Sequence, residues 1–387
     1  MSAILTLNAG SSSIKFGLFD ADTLEEEAGG QVEKIGGKTE LDLEIPGQPK
    51  LERRIPAANH QEAVTAILAA IAPYLDGREV VGMGHRVVHG GPDHAAPLVL
   101  DEAAIAALTR LEPLAPLHQP HNLSAVRAAR RAFPETLQVA CFDTAFHRGH
   151  PWVNDTYGLP RRFYDMGVRR YGFHGLSYAF IAGKLAEDWP ALHAGRVVVA
   201  HLGNGASLCA MEGGRSIAST MGFSALSGLC MGTRPGQMDP GVLLWMLDDQ
   251  GMSSVEITRV LYKESGLKGL SGLTNDMRAL LASDVPEAAQ AVDYFTDRVA
   301  QEVAAMAATM GGIDALVFTG GIGENAAPIR ARVLDQLAFL GFALDASANA
   351  SGGTRISSGL PALVLPTNEE LVIARAVRDA LRGRARA

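Results

Sequence analysis

The chain has 387 residues, 47% of them hydrophobic, long enough for two domains of ordinary size. A formal charge of −8, with both signs mixed along the chain, excludes a broad basic field for nucleic acid and favours a small-molecule partner. Cys141, Cys209 and Cys230 lack metal-ligand spacing, and no apolar run approaches ~20 residues, which predicts a cytoplasmic protein in a reducing compartment with no membrane partner.

In chain order, short apolar runs alternate with amphipathic stretches, the pattern of an α/β fold. Strands are predicted over 3–8 and 13–19, followed by helices over Gln61–Leu75 and Asp101–Leu111. A strand over 137–142 precedes a helix over Leu176–Glu187, and strands over 196–202 and 206–211 precede the long helix Pro286–Met310. Strands over 314–319 and 362–366 and a helix over Glu369–Leu381 complete the chain. The plan of strand, small polar turn and strand at Ile4–Phe16 recurs at Val197–Leu208. Each is followed much later by an apolar strand running into a polar turn, Val139–Thr144 in one half and Leu316–Asn325 in the other. Two similar halves would present two such turns to one cleft, although any two hairpins share Asn, Gly and Ser at the turn.

Three turns, Asn8–Ser13, Gly203–Ser207 and Gly320–Asn325, combine glycine with small polar residues, so backbone N–H groups are able to approach phosphate oxygens. None matches a P-loop, and Gly321-Ile322-Gly323 lacks the third glycine and following helix pattern of a dinucleotide fingerprint. Arg86, within Gly84–Gly91, sits among apolar residues before two glycines that should end a strand. It is either half of a buried ion pair or a receptor for a carboxylate or phosphate. Arg234, in a glycine-flanked loop, poses the same choice. Asp143 closes the strand at 137–142, a position suited equally to a reactive group or a cap, and His174 lies between Gly172 and Gly175 beside two aromatics.

These segments together resemble the acetokinase family, within the superfamily of acetate and sugar kinases, Hsp70 and actin. The motifs are Asn8–Lys15, Gly84–Gly91, Phe142–His147, Tyr171–Gly175, His201–Gly205, Met231–Arg234, Phe318–Asn325 and Pro366–Glu370, spread from the first strand to the last helix. The resemblance implies an α/β fold of two similar actin-like ATPase lobes, a duplicated ribonuclease H-like βββαβαβα core, around a central cleft. The expected lobes are 1–147 with 366–387, its C-terminal helix returning, and a nucleotide-binding lobe over 148–365. It implies Mg2+-dependent, reversible transfer of the ATP γ-phosphate to acetate, with Mn2+ as a substitute metal, and a homodimer as the assembly.

The same resemblance assigns Asn8 and Glu369 to the metal and Asp143, His174 and Arg234 to catalysis. Arg86, Val88 and Ala225 fall to the carboxylate substrate. Lys15, His201, Leu202, Gly203, Asn204, Gly205, Asp276, Met277, Arg278, Gly321, Ile322, Gly323, Glu324 and Asn325 fall to ATP or ADP. Four positions depart from the family pattern: Ala225 stands where a proline is common, Gln237 and Ala218 replace acidic residues, and Tyr178 stands where a second histidine is usual. The smaller Ala225 predicts room for propionate, since a methylene in a pocket is worth only about 1–3 kcal/mol. Propionate kinase activity is therefore the alternative, and a nucleotide-gated scaffold of the actin and Hsp70 kind is a remote one.

Overall fold

The computed structural model describes residues 2–10, 12–116 and 118–384. Ser11 of the first small-residue turn and the last three residues of the expected returning segment lie outside them. The chain divides into two compact units, Met1–Arg148 with Asn368–Ala387, and Gly149–Thr367.

The first unit is built on β1 (Ala3–Ala9), β2 (Ile14–Asp20), β3 (Glu26–Glu33), β4 (Glu40–Glu44), β5 (Leu51–Arg54), β6 (Val80–Val87), β7 (Leu98–Val99) and β8 (Leu137–Phe142). They form one sheet in the order β5-β4-β3-β2-β1-β6-β8-β7. The hairpins β1 to β5 pair antiparallel, whereas β1, β6 and β8 run parallel. Parallel neighbours need crossovers, supplied by α1 (His60–Leu75), α2 (Glu102–Thr109) and α3 (Gln119–Ala132). Leu5, Leu7, Phe16 and Met83 of the sheet share a core with Val64, Ile67 and Ile71 of α1 and Ala125 and Ala129 of α3.

The last helix of the chain, α16 (Glu369–Arg384), lies against β6, β1 and β8 of this same sheet. Two glycines of β6 explain how closely it approaches. A Cβ at Gly82 would run into Val377, and one at Gly84 into Ile373 and Val377. Alternation along the strand puts Arg86 on the face of Gly82 and Gly84, toward the first turn of α16, while Met83 joins the opposite core.

The second unit has the sheet β11-β10-β9-β12-β13, made of β9 (Arg196–Leu202), β10 (Ala206–Glu212), β11 (Arg215–Ser219), β12 (Ala315–Thr319) and β13 (Ala362–Val364). Its helices are α4 (Trp152–Asp155), α5 (Arg161–Asp165), α6 (Gly175–Asp188), α7 (Pro190–His193), α8 (Pro240–Asp248), α9 (Ser254–Arg259), α10 (Gly266–Ser271), α11 (Met277–Leu281), α12 (Pro286–Thr309), α13 (Gly320–Asn325), α14 (Ala327–Gln336) and α15 (Ala346–Ala350). The order of three antiparallel strands followed by two parallel ones matches β3-β2-β1-β6-β8 of the first unit.

This match corrects the internal echo read from sequence. The strand beside the hairpin is β6 in the first unit and β12 in the second, so β8, ending at Phe142, corresponds to β13 and not to β12. The echo had paired two apolar strands that each run into a polar turn, but position in the sheet is set by hydrogen bonding and not by hydrophobicity. The polar turn expected at Gly320–Asn325 is also a short helix. The Glu324 carboxylate accepts the Gly320 N–H at 2.8 Å and the Thr319 hydroxyl at 3.3 Å, which winds the segment as it leaves β12.

Candidate functional site

Candidate residues gather in one group in each unit. In the first, Asn8 near the end of β1, Arg86 near the end of β6, Asp143 just beyond β8 and Glu369 at the start of α16 form a single hydrogen-bonded cluster. Arg86 donates from Nε to Asp143 Oδ1 at 2.8 Å and from Nη2 to Asp143 Oδ2 at 2.5 Å, the bidentate pairing for which a guanidinium is suited. Its Nη1 donates to Asn8 Oδ1 at 3.2 Å, and its Nε lies 3.9 Å from Glu369 Oε2. Asn8 Nδ2 in turn donates to Glu369 Oε2 at 3.2 Å and to Glu370 Oε1 at 3.4 Å. Arg86 is thus half of a partly buried ion pair with the buried Asp143, and the edge of its fork facing Asp143 is occupied.

Burial works against the Arg86 charge, yet the carboxylates of Asp143, Glu369 and Glu370 together outweigh it and hold the guanidinium above its ordinary pKa. Burial raises the Glu369 carboxyl to about 7; Arg86 opposes the rise, Asp143 and Glu370 add to it, and Lys15 opposes it in turn. Lys15 stands opposite Asn8 in the β1–β2 register and is exposed. Asn368 accepts the Leu371 N–H at 2.8 Å, starting α16 so that Glu369 and Glu370 sit in its first turn, where the helix dipole favours acidic groups. Val88 is buried, and its N–H is held by the buried Asn122 of α3, which also donates to Ala9 O.

This donor set suits a divalent cation. It offers hard oxygens from an amide and carboxylates, and a buried carboxyl whose ionisation a cation would favour. Among the described residues no three Asp, Glu, His or Cys side chains form a closed metal cage. A metal held through Asn8 and Glu369 would therefore complete its shell with phosphate oxygens and water, as magnesium commonly does.

In the second unit, His174 adopts a left-handed backbone, φ 57° and ψ 24°, at the start of α6 and makes no side-chain cap there. Such a conformation is uncommon for a residue with a β-carbon and concentrates at functional positions. Its ring stacks on that of His201, centroids 4.3 Å apart, and its Nδ1 lies 2.9 Å from Ser207 Oγ. Gly205 lets the two side chains approach the backbone closely. A Cβ there would stand 2.7 Å from Arg234 Nη2 and 3.2 Å from His174 Nε2, so both nitrogens converge on this backbone. Arg234 is steered by a 2.8 Å bond from Nη1 to the carbonyl of Ala225.

Beside this pair, a pocket of about 590 Å³ is lined by Gly203, Asn204, Asp276, Met277, Arg278, Gly321, Ile322 and Asn325 from the sequence expectation. Asn275, Leu281, Ala326 and Pro328 also line it and had no sequence signal beyond adjacency. The remaining expected nucleotide residues lie differently. Leu202 is fully buried, His201 hydrogen-bonds Ser177 Oγ at 2.8 Å through Nδ1, and Gly323 is buried while Glu324 turns its carboxylate into its own backbone. Arg330 of α14, 2% exposed, donates to the carbonyls of Gly323 and Glu324 at 3.0 and 2.8 Å and so ties down the end of α13. Ser207, expected within a phosphate-approaching turn, is instead buried in β10 against His174, while Glu370 was read only as part of a motif and Arg330 was not noted; each makes a contact that chain order does not reveal.

The sequence model of the acetokinase family matches residues 3–375. The chain is 51% identical to an acetate kinase of Methylocella silvestris, covering 96% of each chain, and 50% identical to one of Nitrobacter hamburgensis, covering 97% of this chain and 95% of the other. Among solved structures, a propionate kinase of Francisella tularensis matches with a TM-score of 0.92 at 37% identity, over 98% of this chain and all of the other. An acetate kinase of Porphyromonas gingivalis matches with a TM-score of 0.88 at 35% identity, over the same shares. With the family pattern covering both sheets and both residue groups, the chain belongs to the acetokinase family.

Proposed function

We propose that the chain catalyses reversible transfer of the γ-phosphate of ATP to acetate, giving acetyl phosphate and ADP. Identity of about half to curated acetate kinases over nearly the whole chain is the observation that carries this. The family uses ATP and ADP with a divalent metal, and magnesium is the ion proposed here.

Phosphoryl transfer passes through a loose transition state, so the protein is asked for positioning and for charge on the equatorial oxygens. The pocket of about 590 Å³ has the size for an adenosine, and the glycine backbones of Gly203 and Gly321 suit its phosphates. His174 Nε2 and Arg234 Nη2, converging at Gly205, are the proposed donors to the moving group. Acetate is already ionised near neutral pH and needs no strong base. Arg86 is the proposed receptor for its carboxylate, using the edge not taken by Asp143, and Asp143 then serves mainly to aim Arg86. Lys15 is the proposed phosphate contact of the first unit. A divalent ion bound through Asn8 and Glu369 would supply charge neutralisation to the phosphates.

A second reading, propionate as the preferred acid, is favoured by Ala225 and by the likeness to a propionate kinase structure. The hydroxamate assay with ATP and magnesium, comparing kcat/KM for acetate, propionate and butyrate in wild type and Ala225→Pro, decides between them. Acetate preference supports the first reading; propionate preference reversed by Ala225→Pro supports the second; no acyl phosphate from any acid overturns both. A second copy of this chain is the proposed partner. Supporting it, α8 has no buried residue and leaves Val242, Leu244, Trp245 and Leu247 between 38% and 60% exposed.

A further inference from the structure

We propose that Asn122 is a positioning residue that fixes the spacing between the acid-binding end of β6 and the turn after β1. The inference rests on the reading of Arg86 and Val88 as contacts of the carboxylate substrate and of Asn8 as a metal residue, and it adds what aligns them.

β1 and β6 pair in parallel only as far as Leu7 and His85. β6 continues beside β8 as far as Val87, opposite Phe142. Past those points the ladder between β1 and β6 has ended, at the carboxyl end of the parallel strands, where α/β sheets place their ligands. Asn122 of α3 stands in that fork. Its Oδ1 accepts the Val88 N–H at 3.0 Å and its Nδ2 donates to the Ala9 carbonyl at 2.5 Å. The two backbone partners settle the orientation of the amide, since an N–H only donates and a carbonyl only accepts. The side chain therefore does across the fork what a peptide group does within a sheet. It is 1% exposed, so water does not take its place.

The flanking residues are held in a similar way. Gln119, one turn earlier on α3, accepts the His89 N–H at 3.1 Å and donates to the His89 carbonyl at 3.0 Å, and Thr144 accepts the Gly90 N–H at 3.0 Å. On the other side of the fork, His60 donates from Nε2 to the Gly10 carbonyl at 2.7 Å. Gln119 and Thr144 thus hold the chain after β6, and His60 holds the turn after β1. Among these described residues, Asn122 bonds both segments. Ala9 directly follows Asn8, whose amide joins Arg86 to Glu369, and Val88 lies just beyond Arg86. The length of one amide sets how far the acid's contacts stand from the metal's.

The test compares full-length wild type with Asn122→Leu and the isosteric Asn122→Asp in the hydroxamate assay with ATP and magnesium, using acetate and butyrate. Leucine removes both bonds, whereas an aspartate carboxylate keeps the acceptor for Val88 and sets negative charge against the Ala9 carbonyl. Both variants are expected to lower kcat roughly 10- to 100-fold, with the KM for ATP changed by less than about threefold, because a small misplacement costs rate more than binding. Asn122→Leu is also expected to raise kcat/KM for butyrate relative to acetate at least about threefold, as Val88 recedes. That ratio does not depend on how much of the protein is folded. An unchanged ratio in Asn122→Leu makes Asn122 a structural residue and overturns the proposal, as does a wild-type kcat in either variant. Wild type alone supplies a further check. In 15N-valine-labelled protein, with Val88 assigned by its loss in Val88→Ile, the Val88 amide is expected to persist in D2O on the order of hours. Its exchange as fast as that of an exposed amide overturns the bridge without any variant. These failures leave wild-type activity intact, whereas a wild type that makes no acyl phosphate from any acid overturns the functional reading and this role together.

Discussion

Arg86 shows how much a single side chain carries here. Its fork is divided between Asp143 and Asn8, so a lysine, with one compact charge and no fixed fork, would keep the charge and lose the geometry. Arg86→Lys is expected to lower kcat/KM for acetate by about 10²-fold or more, with a smaller effect on the KM for ATP, as read by steady-state hydroxamate kinetics. A second residue-scale expectation concerns His85, whose Nε2 lies 2.9 Å from Gln138 Oε1 in the β6–β8 core. Burial lowers its pKa from 6.5 to about 4, so the unfolded chain binds the proton first as pH falls. Its contribution is complete above 6.5 and is lost between 6.5 and about 4, at roughly 1.4 kcal/mol per pH unit in that window. Urea unfolding near neutral pH and in mild acid is expected to show a shallower loss in His85→Gln than in wild type; equal slopes would place the acid sensitivity elsewhere.

At the scale of elements, the contact between β6 and α16 depends on two absent side chains. Gly84→Val would drive a branched side chain into Ile373 and Val377, and such overpacking typically costs about 1–3 kcal/mol. Thermal unfolding is expected to report that loss together with weaker transfer activity, because Glu369 rides on the displaced helix; a variant as stable as wild type would show that α16 has slack. The elements also show what chain order reveals. Strands such as β1, β9 and β12 are legible because nearly every position is apolar and buried. β3, with two adjacent glycines and three glutamates, and β5, exposed at all four positions, carry no hydrophobic alternation and were not read. α3 was not predicted because its buried face mixes Ala125, Ala128 and Ala129 with the polar Gln119 and Asn122, which blurs the apolar stripe that marks a face. In the site, Arg86, Asp143, His174 and Arg234 stood out by residue type and glycine context. Ser207 was read only as the end of a small-residue turn, since a serine's partners in a strand are not known until its neighbours across the sheet are.

For the whole molecule, the duplicated sheet order was only partly visible from sequence, since the two hairpins echo each other while the strands beside them, β6 and β12, do not look alike. The proposed assembly makes a separate prediction. Charge on the exposed face of α8, as in Leu244→Glu with Trp245→Glu, is expected to convert a dimer to a monomer by light scattering while leaving the fold intact by circular dichroism. A wild-type monomer, or a double variant that stays dimeric, would remove α8 from the interface.

Asn8 bonds a residue 361 positions later in the chain. A ribosome makes β8, which completes the first sheet's strands, more than two hundred residues before α16, so a nascent chain holds that sheet for this interval without the helix that packs on β1, β6 and β8. Truncated products therefore lack the Glu369 side of the cluster, and a cell that abandons translation early is left with a fragment lacking that carboxylate. Emergence of α16 becomes the event that completes the hydrogen-bonded cluster.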